Sequence, residues 1–153
     1  LQAAQLCILA VPDAALARAE YFERFGRCAR GVDLIFLDPD NGLQVKSKPK
    51  GCKGSGKYLF WDELTACYRQ GFSIIVYQHF QRGRGLTHDK YIRVVASEIV
   101  ERVGARYALG FRFEHVFFFL IPQARAYAKF STLAGRAAAR WAPRIELLTG
   151  GGE

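Results

Sequence analysis

Several things are missing from this sequence. Methionine is absent and the first residue is Leu, so the natural start and further upstream elements are expected to be missing. No apolar run exceeds six residues, the length of Val116 to Ile121. A membrane helix needs roughly 20, so a helical span is excluded. No basic start followed by an apolar middle marks a leader. Cysteine is sparse: Cys7, Cys28, Cys52 and Cys67 are spaced 21, 24 and 15 apart, with no C-x-x-C pair. That spacing argues against a zinc cluster. Disulfide frameworks belong to shorter secreted chains, so the four are read as reduced thiols of a cytoplasmic protein. There is no internal repeat and no low-complexity block.

What is present fits one α/β domain over residues 1–153. Half the residues are hydrophobic and 24% are charged, the balance of an ordinary globular chain. Twenty-two Lys and Arg against 14 Asp and Glu leave a formal charge of +8. Such an excess favours an anionic partner: nucleic acid, nucleotide or an acidic surface.

Strands and helices are expected to alternate. Leu6 to Val11 reads as a short strand, and Ala14 to Arg30 as a helix burying Leu16, Ala19, Tyr21, Phe22 and Phe25. Leu34 to Leu37 is a continuous apolar run, the pattern of a strand covered on both faces. Trp61 to Gln70 reads as a helix and Phe72 to Tyr77 as a second buried strand. Thr87 should cap a helix that buries Tyr91, Ile92, Val95, Ile99 and Val103 and stops at Gly104. Tyr107–Phe113 and His115–Ile121 read as a bent pair of last strands. A helix over Ala124 to Trp141 should bury Tyr127, Phe130, Leu133 and Trp141, and Thr149 to Glu153 should be a frayed tail. The expected fold is a three-layer, Rossmann-like α/β arrangement. Its sheet would be mainly parallel, of about five strands, with an antiparallel last strand.

Such sheets bind ligands beyond the carboxyl ends of their strands. Two segments qualify, Asp38 to Lys57 and Gln78 to Asp89. The first opens on Asp38-Pro39-Asp40-Asn41-Gly42, where a carboxylate leaves a buried strand. The same letters make good turn chemistry, so a plain hairpin pairing Ile35–Leu37 with Leu43–Val45 stays open. The second opens on Gln78-His79-Phe80. If the two strands are neighbours, Gln78 or His79 emerges near Asp38. An acid and an imidazole there could share acid/base work or ligate a metal. Catalytic candidates are Asp38, Asp40, Asn41 and His79, and metal candidates are Asp38 and Asp40. Candidates for phosphate are Lys46, Lys53, Lys57, Gln78, Arg82 and Arg84.

Gly51-Cys52-Lys53-Gly54-Ser55-Gly56-Lys57 satisfies G-x-x-x-x-G-K, but Tyr58 stands where a P-loop needs Ser or Thr for magnesium. Its glycine amides could still cradle a phosphate. Residues 46–57 hold five lysines and no acid. Pro39-Asp40 with Gln44-Val45-Lys46 approximates a PD…(D/E)-x-K nuclease pattern, with Gln in place of the acid. Arg125, Lys129, Arg136 and Arg140 form a basic stripe on the last helix. Most aromatics fall at positions expected to be buried, leaving Phe80 and Tyr58 as stacking candidates.

At DLIFLDPDNG, KYLFWDEL and SIIVYQHF the chain resembles an uncharacterised family of bacterial and phage proteins, over about residues 20–141. More distantly, it resembles the second half of Rossmann-like S-adenosylmethionine methyltransferases, in which an acid-proline motif follows a central strand. The matching positions are Asp38, Pro39, Asp40 and Asn41, and the last two depart from that motif's letters. Three functions therefore stand as expectations. The first, implied by the resemblance, is a methyltransferase-like enzyme on nucleic acid or a nucleotide, using S-adenosylmethionine. The second is a magnesium- or manganese-dependent nuclease or phosphohydrolase. The third is a nucleic-acid-binding module without catalysis.

Overall fold

A computed structural model describes residues 10–80 and 85–150. Helix α1 (Ala15–Cys28) leads into strand β1 (Leu34–Leu37). A long loop, with a 3-10 turn at Ser55–Lys57, leads to α2 (Trp61–Arg69) and β2 (Ser73–His79). Then come α3 (His88–Val103), β3 (Ala108–Phe113), β4 (Val116–Ile121), α4 (Tyr127–Arg140) and β5 (Ile145–Gly150). No described helix is long and apolar enough to cross a membrane. The strand expected at Leu6 to Val11 lies mostly outside the described residues.

The strands form one sheet in the order β1-β2-β4-β3-β5. Only β1 and β2 are parallel; every other neighbouring pair is antiparallel. The expectation of a mainly parallel, Rossmann-like sheet is therefore wrong. The reason lies in the connection between β3 and β4. Phe113 sits opposite Val116, so only Glu114 and His115 separate the strands. A two-residue link can make only a hairpin, because parallel neighbours need a crossover of a dozen residues or more. The hairpin then inserts β4 between β2 and β3. A fifth strand forms over Ile145–Gly150, with Ile145 opposite Phe113; it takes in Thr149 and Gly150, expected to begin a frayed tail, while residues 151–153 of that tail lie outside the described residues.

Helices α1, α2 and α3 cover one face. Their core holds Ile35, Ile74, Val76, Phe117, Phe119 and Ile121 from the sheet, with Leu64, Tyr91, Ile92, Val95 and Ile99 from the helices. Helix α3 behaves as its sequence implies. The Thr87 hydroxyl accepts from the Lys90 amide at 3.4 Å, and Gly104 closes the helix in the left-handed region. Arg18 is the exception within this layer. It is 1% exposed on the inner side of α1. Its guanidinium donates to both Glu63 carboxylate oxygens at 2.7 Å and to the carbonyls of Pro12, Ser55 and Tyr58. Every buried lobe of that cation is therefore answered, as burial of a charge demands.

The other face is treated differently. Among the described helices only α4 lies on it, packing Phe130 and Ala134 against Leu109 and Leu120. Leu133 and Trp141 near that helix, expected to be buried, are 48% and 52% exposed, and Leu16 of α1 is 83% exposed. The helix leaves one half of its sheet face open. That half lies toward the carboxyl ends of β1 and β2.

Candidate functional site

Because β1 and β2 are parallel with Leu37 level with Val76, their carboxyl ends reach the same edge of the sheet. The adjacency assumed from sequence is therefore present. Asp38 continues the strand by one residue, and the proline after it keeps it extended. The chain then turns: the Gly42 amide donates to the Pro39 carbonyl at 3.0 Å. It does not fold back onto β1. Leu43 instead bridges Leu59 in parallel, so the hairpin with Ile35–Leu37 does not form.

Gln78 fixes this turn from inside. Its side-chain oxygen accepts from the Leu43 amide at 2.7 Å. Its nitrogen donates to the Tyr91 hydroxyl at 3.0 Å and the His79 carbonyl at 2.8 Å. Gly42 has a φ of +83°, and a Cβ there would lie 2.5 Å from the Gln78 oxygen. Glycine is therefore required at this position twice over, by backbone conformation and by space. Gln78 is fully buried, so its groups serve the turn. The hollow beside it, lined by Leu43, Gln44, Trp61, Gln78, Tyr91, Val95 and Glu98, is about 10 Å³. That is room for a water, not for a nucleoside cofactor, which needs a cleft of several hundred cubic ångströms. The residues around Gln78 at this edge do not fit S-adenosylmethionine.

Asp38, Asp40, Asn41 and His79 are exposed at that edge, as are Lys46, Lys53 and Lys57 on the loop. The Asn41 amide donates to the Lys57 carbonyl at 2.9 Å, so the lysine loop and the acidic turn touch. Arg82 and Arg84 lie outside the described residues. Among the described residues no group of three or more His, Cys, Asp or Glu gathers to hold a metal. Asp38 and Asp40 thus gain no third ligand of that kind there.

The glycine-lysine loop is held rather than loose. The Asp13 carboxylate accepts from the Gly54 amide at 2.8 Å and the Gly56 amide at 2.6 Å. The Ser55 hydroxyl donates to the Asp13 carbonyl at 3.1 Å. These amide hydrogen bonds are the main reason the Asp13 carboxyl lies below its ordinary range. The amides read as a phosphate cradle therefore already hold an anion of the chain itself. Lys50 turns inward to Asp62 at 2.5 Å and Glu63 at 3.2 Å. Lys46, Lys53 and Lys57 are left on the surface of an ordered loop.

The feature that the sequence did not disclose is the open half of the second face. Alternation along the strands places Phe36 of β1, Tyr77 and His79 of β2, Phe118 and Val116 of β4, and Phe113 of β3 on it. Phe36 is 55% exposed, and its ring lies 6.4 Å from that of Phe118, reaching across β2. Phe118 meets Tyr77 edge-on at 5.5 Å, and Tyr77 meets His79 at 4.9 Å. The rings form one continuous row. On its far side the row meets the end of α4. The Trp141 carbonyl accepts from the amides of Arg144 and Ile145, and Ile145 pairs with Phe113. Arg140, Trp141 and Arg144 therefore border the face, and residues 123–144 contain five basic residues and no acid. Phe80, one of the two stacking candidates from sequence, instead packs among His88, Tyr91 and Phe117. Tyr58 is half-buried. No protein-family model, curated protein or solved structure matches the chain.

Proposed function

We propose that the protein binds single-stranded nucleic acid across the open half of its sheet. One observation carries this reading: the row Phe36–Phe118–Tyr77–His79 lies uncovered by any described helix, on a sheet face bordered by the basic end of α4. Folded domains seldom leave contiguous aromatic surface uncovered without a use for it. Unpaired bases offer flat faces to such rings, each stack contributing about 1–3 kcal/mol. Arg140 and Arg144, with Lys57 beside the Asp38 turn and the other exposed lysines of its loop farther out, supply phosphate contacts, which position a strand without reading it. Of the three expected functions this is the one without catalysis. A metal or cofactor reading has less beneath it, given the two-acid edge and the water-sized hollow.

Fluorescence anisotropy with a labelled strand of about 12 nucleotides and its duplex tests the reading, a length within the site sizes of single-strand binders. The single strand should bind and the duplex should bind more weakly. Replacing Phe36 and Tyr77 together by Ala should weaken single-strand binding by about tenfold or more. Their place on the open face implies little change in melting temperature. Affinity should fall with salt, and Lys53→Ala with Lys57→Ala should flatten that slope by roughly 0.7 for each phosphate no longer neutralised. Unchanged affinity in the aromatic double variant would remove the proposal.

A further inference from the structure

We infer that Asp38 selects among bases, favouring those that present an amino group where uracil or thymine presents a carbonyl oxygen. This rests on the single-strand reading above. On the open face the rings and aliphatic side chains end, at the edge near Lys57, in Asp38 and His79. Asp38 follows Phe36 by two residues in an extended stretch, so it stands on the same face as the ring row. It is exposed, and its carboxylate makes no hydrogen bond or ion pair with any described residue.

A carboxylate in this place is costly for a surface that merely attracts phosphate, because it repels the backbone it would meet. It becomes useful if it meets a base instead. An ionised carboxylate only accepts hydrogen bonds. Cytosine offers N4–H₂ and adenine offers N6–H₂, whereas thymine and uracil place an acceptor, O4, at the same position. A base stacked on Phe36 or Tyr77 brings that edge toward residue 38. With cytosine the pair forms a charge-assisted hydrogen bond. With uracil two acceptors face each other.

The test uses fluorescent decamers of deoxycytidine and deoxyuridine, two pyrimidines of equal size and backbone. Each is titrated by anisotropy with the whole chain and with Asp38→Asn. The wild type should bind the cytosine decamer about tenfold more tightly, the worth of one charged hydrogen bond. In Asp38→Asn, whose amide both donates and accepts, the ratio should fall below about threefold. Uracil affinity there should hold or rise. Asp40→Asn, beyond the turn-forming proline, should keep the wild-type ratio. Equal binding of both decamers by the wild type would overturn the inference and leave the single-strand reading standing. A cytosine preference that survives Asp38→Asn would do the same. Failure of both decamers to bind would overturn the inference and the single-strand reading together.

Discussion

Phe117 and Phe118 are neighbours in the chain and live in different environments. Phe117 is fully buried under α3, against Tyr91. Phe118, one residue on, points to the open face and shares its ring contacts with Phe36 and Tyr77. Their difference is the difference between the two faces of the sheet. Three helices close the first face, and Arg18 with Glu63 locks α1 to α2. A single helix covers part of the second. The apolar content of this chain therefore does two jobs. On one side it builds a core. On the other it is left partly in water, at the edge where Asp38 and the lysine loop emerge.

The largest effect expected from this contrast is on stability. Phe117→Ala should cost about 3–5 kcal/mol, as large-to-small changes in a closed core do. Phe118→Ala should cost about 1 kcal/mol or less, nearer to a surface change. Urea unfolding with a common m-value separates the two. Equal costs would mean that the second face is covered in solution, and the stacking surface would disappear with the comparison.

A smaller effect concerns how the loop beside the open face is held. Asp13→Asn removes the anion that the Gly54 and Gly56 amides bind, so the melting temperature should fall near neutral pH. The folded-state pKa of Asp13 is lowered. Its contribution is therefore complete above the unfolded value near 4 and is lost as pH drops through the lower folded value. The gap between wild type and variant should stay constant from about pH 8 to 6 and close below about pH 4. A gap that persisted undiminished in stronger acid would show that the carboxylate is not what orders the loop.

The helices of the covered face were legible because each carries its own punctuation. Thr87, Gly104 and the spacing of Tyr91, Val95, Ile99 and Val103 define α3 without reference to anything distant. The end of β1 was legible because its continuous apolar run stops at a polar turn residue; β2 runs two residues past its apolar run, to His79, because Gln78 and His79 keep pairing with β4. The strand order was not, since it depends on how Glu114 and His115 turn, and neither is a residue that announces a hairpin. Strand β5 carries no signal of its own in the sequence, and its last two residues read as the start of a tail, because so short a segment becomes a strand only by pairing with β3. The open face was hidden for a related reason. Phe117-Phe118-Phe119-Leu120 has no polar alternation to mark one side as exposed, so the whole run reads as buried. Arg18 did leave a signal. It sits four and seven residues before Phe22 and Phe25, on the apolar stripe of α1, where a charge calls for a buried partner.

The smallest effect lies in the turn that decides which phenylalanine faces which way. A slip of one residue between β3 and β4 would exchange the faces, putting Phe118 inside and Phe117 in water. Glu114 holds a φ of +53°, as the first central residue of a tight two-residue hairpin link must. A side chain in that region costs about 1 kcal/mol that glycine does not incur. Glu114→Gly should therefore raise stability by about 1 kcal/mol or less, offset in part by the greater freedom of glycine in the unfolded chain. Single-strand affinity should not change, because the register is already set by burial of Phe117 and Phe119. If the substitution altered affinity instead, the turn and not the core would be choosing the face, and the division of labour between the two sides of the sheet would rest on two residues.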